Sequence, residues 1–404
     1  MNILPRFLNY VSYWTTSQES AGTTPSTSRQ FDLARVLEQE LISLGVKDVV
    51  LDEFCYVYGY LPATEGYPSR KSIGLISHMD TAPDMSGKDV KPNIIENYDG
   101  TDIILPNGKV SILVSDFPRL KSLKGKTLIT ADGNTLLGAD DKAGIAEIIT
   151  AVEEILKRNL PHPDIYIAFT PDEEIGEGSD HFDLNRFQAD FAYTVDGDYE
   201  GEIAYENFNA ASAEFTLKGK NVHPGEAKNI MVNAASIACE IQSLLPEHET
   251  PEHTEGREGF YHLTNISGDI GQAKLSYIVR DHNGDLFQKK LDYLEKVKEF
   301  ISGKYGKDTV TLSIQESYRN MVEIIDNHME IIRLAEEAIT SVGLTPVSTP
   351  VRGGTDGARI SFMGIPCPNL GTGGYGFHGP MEHIALESME TVVEIICHIV
   401  SHVN

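Results

Sequence analysis

The chain has 404 residues, of which 41% are hydrophobic, and a formal net charge of -27. That length implies two domains rather than one core, and the acidic balance argues against nucleic-acid binding, which wants a basic face. The same charge suits a cationic ligand such as a free amino terminus, or simply solubility.

The N-terminal MNILPRFLNYVSYW lacks the basic start, long apolar core and small-residue cleavage site of a secretory leader. No stretch approaches the roughly 20 apolar residues of a membrane span. Cys55, Cys239, Cys367 and Cys397 are scattered, without the spacing of a disulfide framework or a structural zinc module. The expectation is a soluble cytoplasmic protein with no membrane or nucleic-acid partner.

Residues 28–44 (SRQFDLARVLEQELISL) carry apolar positions at helical spacing, with Ser28 as the expected cap and Gly45 as the left-handed stop. Short apolar runs at 73–77, 165–169 and 191–195 read as strands buried on both faces. Between the first two lies DDKAGIAEIITAVEEILKRN, a helix with acids in its first turn and Lys157 and Arg158 at its end, an order that suits the helix dipole. This texture predicts an α/β domain with a mixed or parallel central sheet flanked by helices. From about Phe208 it changes. A half-exposed strand at 210–218, helices through NAASIACEIQSLL and DLFQKKLDYLEKVKEFISGKYG, and strands through AKLSYIVRDH and TVTLSIQES predict an inserted α+β sandwich, one sheet with two helices on a single face. After Tyr318 the α/β texture resumes: a helix near 327–341, a glycine-rich loop RGGTDGARI, a strand-like run at 365–370 and a last helix from about Leu386. The expected boundaries are 1–207 and 319–404 for the first domain and 208–318 for the insertion.

Ionisable groups follow the strand-like runs one after another. GLISHMDTAPD places His78 and Asp80 two residues apart where an apolar run ends. Strand neighbours i and i+2 share a face, and an imidazole beside a carboxylate is a general base or a metal ligand with its orienter. Asp140 and Asp141 stand at the entrance of the strong helix. Glu173 and Glu174 follow the next run in TPDEEIG, Asp196 and Asp198 the one after in VDGD, and His378 lies in GYGFHGPMEH. Each alone has a duller reading: a solvated strand end, a helix start, a turn, a loop histidine. In open α/β sheets, however, the strand C-terminal ends share one crevice. So many carboxylates there need shifted pKa values or bound cations. Two histidines with three or more carboxylates suit zinc, with cobalt or manganese as relatives, better than calcium or magnesium. The tally exceeds one tetrahedral ion and points to two.

The series SHMDT, GADDKAG, PDEEIG, VDGD and FHGPMEH resembles the M20 family of dinuclear zinc peptidases and amidohydrolases, and within it the peptidase T branch of tripeptide aminopeptidases. The resemblance spans essentially the whole chain. It implies that His78 and Asp196 bind one zinc, that Glu174 and His378 bind the other, and that Asp140 bridges both. Asp80 is then the orienter of His78, Glu173 the general base, and the Asp140–Asp141 peptide cis. His223, in NVHPGEAK of the insertion, resembles the histidine that supplies an oxyanion donor. Arg280 in YIVRDHN and Arg352 in RGGTDGA resemble anchors for the peptide carboxylate, a task suited to a bidentate guanidinium.

The implied activity is metal-dependent removal of the N-terminal residue from short peptides, most of all tripeptides. Two other readings stand beside it: a deacylase or desuccinylase of N-acyl amino acids, and a non-catalytic metal- or peptide-binding protein. Groups from both domains at one site would make the insertion a lid, hinged near residues 207 and 319. Its apolar face would serve a homodimer or be used internally. VSYWTTSQES and FCYVYGYLPA are idiosyncratic and are expected to affect only surface and rim.

Overall fold

The computed structural model describes residues 1–67 and 71–403. The chain forms two compact units. Met1–Tyr205, Glu323–Thr349 and Thr355–Asn404 make the first, and Glu206–Val322 with Pro350–Gly354 the second. Residues 350–354 thus join the second unit, although their sequence texture reads with the first.

The first unit is built on a seven-stranded sheet in the spatial order Lys47–Leu51, Val57–Leu61, Ile165–Thr170, Ile73–His78, Phe191–Gly197, Asn369–Gly371, Ile203–Ala204. The four inner strands from Ile165–Thr170 to Asn369–Gly371 run parallel, and the outer ones pair antiparallel. Register sets Ile73 opposite both Ile165 and Phe191, and His78 opposite Thr170. The parallel strands therefore finish along one edge, which is where the candidate residues lie.

Helix Ala139–Arg158 packs across Ile73–His78 and Phe191–Gly197, with helices Ile3–Val11 and Leu386–Ser401 packed on it in turn. It is enclosed on nearly every side, not only along the Ile145, Ile148, Ile149, Val152 and Ile155 stripe: Ala143, Ala146 and Ala151 are also fully buried. Gly144 makes the close approach feasible, because a Cβ there would stand 2.0 Å from the carbonyl oxygen of Val195. Ile76 points away from this helix, one residue on from Leu75, and joins Ala168, Ala192, Phe187 and Ile360 in the core of the other face.

Two local expectations shift. Helix Gln30–Leu44 starts after Arg29, and no side chain caps it, so Ser28 is not its cap; Gly45 does close it in the left-handed conformation, at φ 88°. The loop RGGTDGARI is only half a loop, since Thr355 accepts from the Ala358 amide and caps helix Asp356–Phe362. A second, four-stranded sheet escaped prediction because its strands are two or three residues long. Its order is Gly374–Tyr375, His383–Ala385, Leu128–Thr130, Asn93–Ile95.

The second unit is an antiparallel sheet ordered Phe260–Gly268, Gln272–Asp281, Asn209–Lys218, Val310–Tyr318. Alternation along its strands buries Ala213, Phe215 and Leu217 under helices Ala234–Leu244 and Gly284–Tyr305, with Ile237, Ile241 and Leu294 in the same core. Asn233 and Asn283 cap the two helices, each accepting from a backbone amide three residues on. The strand Phe260–Gly268 has no clear signal in the sequence, since it is mostly exposed and its register shifts between Leu263 and Asn265. Among the described residues no helix is long and apolar enough to cross a membrane, and all four cysteines are free.

Candidate functional site

His78 is the last residue of its strand, Asp196 lies near the end of the neighbouring one, and Glu173 and Glu174 form a tight turn just past Thr170. Asp140 arrives from the entrance of helix Ala139–Arg158. There Asp140 and Asp141 have non-helical backbone angles and the peptide between them is cis. These two acids accordingly do not serve as a first helical turn complementing the dipole. They are turned toward the strand ends.

Both carboxylate oxygens of Asp140 face an imidazole. Oδ1 is 2.9 Å from His78 Nε2, and Oδ2 is 3.4 Å from His378 Nε2. His78 Nε2 is also 3.4 Å from Asp196 Oδ1, and His378 Nε2 is 3.0 Å from Glu174 Oε2. Ligand atoms of His78, Asp140 and Glu174 lie within 4.8 Å of one another, as do those of His78, Asp141 and Asp196. Glu174 Oε1 is buried and finds no hydrogen-bond partner among the described residues. An orphaned carboxylate oxygen beside converging imidazole and carboxylate donors fits a divalent cation.

The electrostatics ask for the same positive charge. Burial pushes Glu174 up to about 8, with Asp140 adding to it, and Asp196 up to about 6 against the pull of His78. Burial raises Glu173 well above the carboxylate range, and Asp196 raises it further. Asp140 resists its own burial and stays low, because hydrogen bonds from His378 and His78 stabilise its charge. Those bonds, with Asp140 and Glu174 as partners, push His378 up to about 11. His78 is raised well above its ordinary value, chiefly by Asp196, despite burial that opposes it. Protons on the two imidazoles here serve as the countercharge that bound cations would supply.

Asp80 is fully buried and does more than face a ring. The assigned strand stops at His78, and Asp80 reaches it from the segment that follows, in which the Met79 amide still donates to the Thr170 carbonyl. His78 Nδ1 stands 3.1 Å from the Asp80 carbonyl oxygen and 3.3 Å from Oδ1. The same carboxylate accepts from the backbone amides of Glu173, at 3.0 Å, and Glu174, at 3.2 Å. One side chain thus fixes both the histidine and the acidic turn. Asp141 is inward and structural, accepting from the amides of His78 and Gly144, and Asp198 is exposed.

Three further acids were not singled out from the sequence. Asp172 accepts from the Ser26 amide at 2.6 Å, the Ser26 hydroxyl at 2.5 Å and Gln30 Nε2 at 2.6 Å. Ser26 and Gln30 therefore brace the turn that carries Glu173. Asp356, which burial pushes up to about 7, accepts from Thr170 Oγ1 at 2.9 Å. Glu382 accepts three backbone amides from the loop leading into Asp140. Its only signal was an acid four residues after His378.

The second unit carries His223, Arg280 and Arg352. His223 is exposed at the start of a short turn and accepts from the Gly225 amide. Arg352 donates to the carbonyls of Gly256, Glu258 and Thr254 and to the Thr254 hydroxyl. Arg280 donates one bond, to the Arg352 carbonyl at 2.9 Å, and its buried Nε has no partner among the described residues.

The sequence model of Peptidase family M20/M25/M40 matches residues 130–402. The peptidase T of Alkaliphilus oremlandii is 52% identical over 402 residues, covering 99% of this chain and 98% of that protein. Among solved structures, the aminopeptidase PepT of Bacillus cereus superposes with a TM-score of 0.79 at 23% identity, covering 100% of this chain and 98% of the other. A tripeptidase of Staphylococcus aureus gives 0.77 at 23% identity with the same coverage. These two structures share the fold.

Proposed function

This chain belongs to the M20/M25/M40 family of peptidases, and from that membership and the geometry of its acidic crevice we propose that it is a metal-dependent aminopeptidase releasing the N-terminal residue of tripeptides. The observation that carries the metal reading is Asp140, whose two oxygens face different imidazoles. Likeness to peptidase T over nearly the whole chain supports the substrate class.

In this reading His78 and Asp196 would hold one divalent ion and Glu174 and His378 the other, with Asp140 available to both. Zinc suits the mixed imidazole–carboxylate set, with cobalt or manganese as substitutes. When bound, such a pair polarises the scissile carbonyl and acidifies water. Glu173 accepts the proton that water gives up and delivers it to the departing amine. Asp80 orients both His78 and the turn that carries Glu173. His223 is proposed as the donor to the developing oxyanion.

Arg280 is the better proposed anchor for the substrate carboxylate, since its Nε is uncommitted, whereas Arg352 is engaged by carbonyls and shapes the loop beside it. The second unit is proposed to act as a lid. Asn207 and Asn320 tie its two chain crossings together: the Asn207 amide donates to Asn320 Oδ1 at 3.0 Å and the Met321 amide to Asn207 Oδ1 at 2.7 Å. Helix Gly284–Tyr305 exposes Leu286, Tyr293 and Phe300 at seven-residue spacing, which supports a homodimer through this unit. Free cysteines support a reducing, cytoplasmic setting.

The test compares a tripeptide with its N-acetylated form using protein loaded with zinc. Release of the first residue from the free peptide alone is expected. Cleavage of the blocked compound alone makes the protein a deacylase, and cleavage of neither makes it a binding protein.

A further inference from the structure

We propose that Glu382 is a positioning residue that sets the gap between Asp140 and His378 and thereby governs binding of the ion on the His378 side. The inference rests on the two-ion reading above and assigns a role to a side chain outside that ligand set.

Glu382 is 1% exposed. Its Oε2 accepts from the amides of Leu137, at 2.6 Å, and Gly138, at 2.7 Å, and its Oε1 accepts from the amide of Asp140 itself, at 3.0 Å. A carboxylate is the one side chain of this length that accepts on both of its terminal atoms. Gly138 turns the loop here in the left-handed conformation, at φ 82°, so the chain enters Asp140 folded around the Glu382 carboxylate. Glu382 also lies in the hairpin between Gly374–Tyr375 and His383–Ala385, the hairpin that carries His378. His383, its neighbour, pairs with Thr130 on the strand that leads toward Asp140. One buried side chain therefore joins the segment of the shared aspartate to the segment of the second histidine.

The two halves of the centre differ in how else they are held. His78 sits within the sheet, its amide donates to Asp141, and its Nδ1 is held by Asp80. The His378 side chain is 47% exposed, and its Nδ1 faces Asp84 at 3.5 Å, an acid that is itself 64% exposed. The His78 half is preorganised by the strands. The His378 half depends on the spacing that Glu382 fixes.

Glu382→Gln keeps the shape but turns one terminal oxygen into an NH2 that meets a backbone N–H, donor against donor, so either the Asp140 amide or the Leu137–Gly138 pair loses its acceptor. The experiment titrates zinc into chelated wild-type and E382Q protein, counting ions per chain and their affinities, and measures the thermal midpoint of the two metal-free proteins. The expected result is two ions in the wild type, while E382Q keeps one with only a small loss of affinity, since His78 and Asp196 are held by the strands, and binds the second at least tenfold more weakly, with turnover recovering as zinc is raised. An H378A protein should likewise hold one ion, and adding E382Q to it should weaken that ion no more than E382Q weakens the tighter ion of the otherwise wild-type protein. Should E382Q be too poorly folded to titrate, Glu382→Asp, one methylene short of the loop, is read in the same way. E382Q binding two ions at unchanged affinity overturns the proposal alone, as does equal loss of both ions with a collapsed metal-free midpoint, which marks a merely structural side chain. A wild type that binds no zinc overturns the two-ion reading and this proposal with it.

Discussion

Replacing Asp80 with Asn separates the two tasks of this buried side chain. In the wild type Oδ1 accepts from the Glu173 amide and lies near His78 Nδ1, while Oδ2 accepts from the Glu174 amide. Asn offers one oxygen and one NH2, so in either orientation one of the two amides faces a donor. A hydrogen bond to a charged acceptor contributes about 1.5–3 kcal/mol. If that loss falls on the placement of Glu173, turnover drops by about 10- to 150-fold, at about 1.36 kcal/mol per decade. His78 keeps its tautomer, because the Asp80 carbonyl oxygen still stands 3.1 Å from Nδ1. The expected outcome for Asp80→Asn is a lower kcat, a little-changed KM and both zinc ions retained. Steady-state kinetics on a tripeptide beside metal analysis of the same samples read this directly. Zinc loss with full turnover per loaded chain refutes the clamp and leaves Asp80 as an orienter of His78 alone; unchanged kcat refutes both roles.

Glu173→Ala is expected to lower kcat by about 10²- to 10⁴-fold, the range of general acid–base catalysis, with zinc content unchanged by elemental analysis. Exhaustive chelation should abolish hydrolysis, and added zinc should restore it. Arg352→Ala should lower the thermal midpoint, since it strips donors from the Gly256, Glu258 and Thr254 carbonyls. Arg280→Ala should instead raise KM for free tripeptides about tenfold or more and leave C-terminally amidated ones unaffected. Burial pushes Asp356 up to about 7, from an ordinary value of 3.8. The folded state therefore holds a proton that the unfolded chain releases between about pH 4 and pH 7, so this group costs stability as pH rises through that window. Asp356→Asn mimics the neutral form, and in chelated protein its midpoint relative to wild type should be higher at pH 8 than at pH 4.5, measured by calorimetry.

The order of chemistry along the chain was legible because parallel strands impose it. Strands buried under helices on two faces read as short apolar runs, and the groups just past their C-terminal ends have one edge to share. His78, Glu174 and Asp196 follow from that rule, and the helix after Asp140 follows from its periodicity. What sequence alone could not assign was which acid does which work, because carboxylates with opposite tasks are chemically identical. Asp141 looks as good a ligand as Asp140, yet it turns inward to the His78 and Gly144 amides. Asp172 and Glu382 lie in loops and Asp356 opens a short helix, and the partners of all three are far away in the chain: Ser26 with Asp172, Thr170 with Asp356, and Leu137 to Asp140 with Glu382. Arg352 likewise reads as an anchor for substrate, and only the fold shows the carbonyls of Thr254, Gly256 and Glu258 to which it donates. Local periodicity fixes which elements form; the direction in which a buried polar side chain points is settled by whichever donors the assembled chain brings to it, and those donors are tertiary.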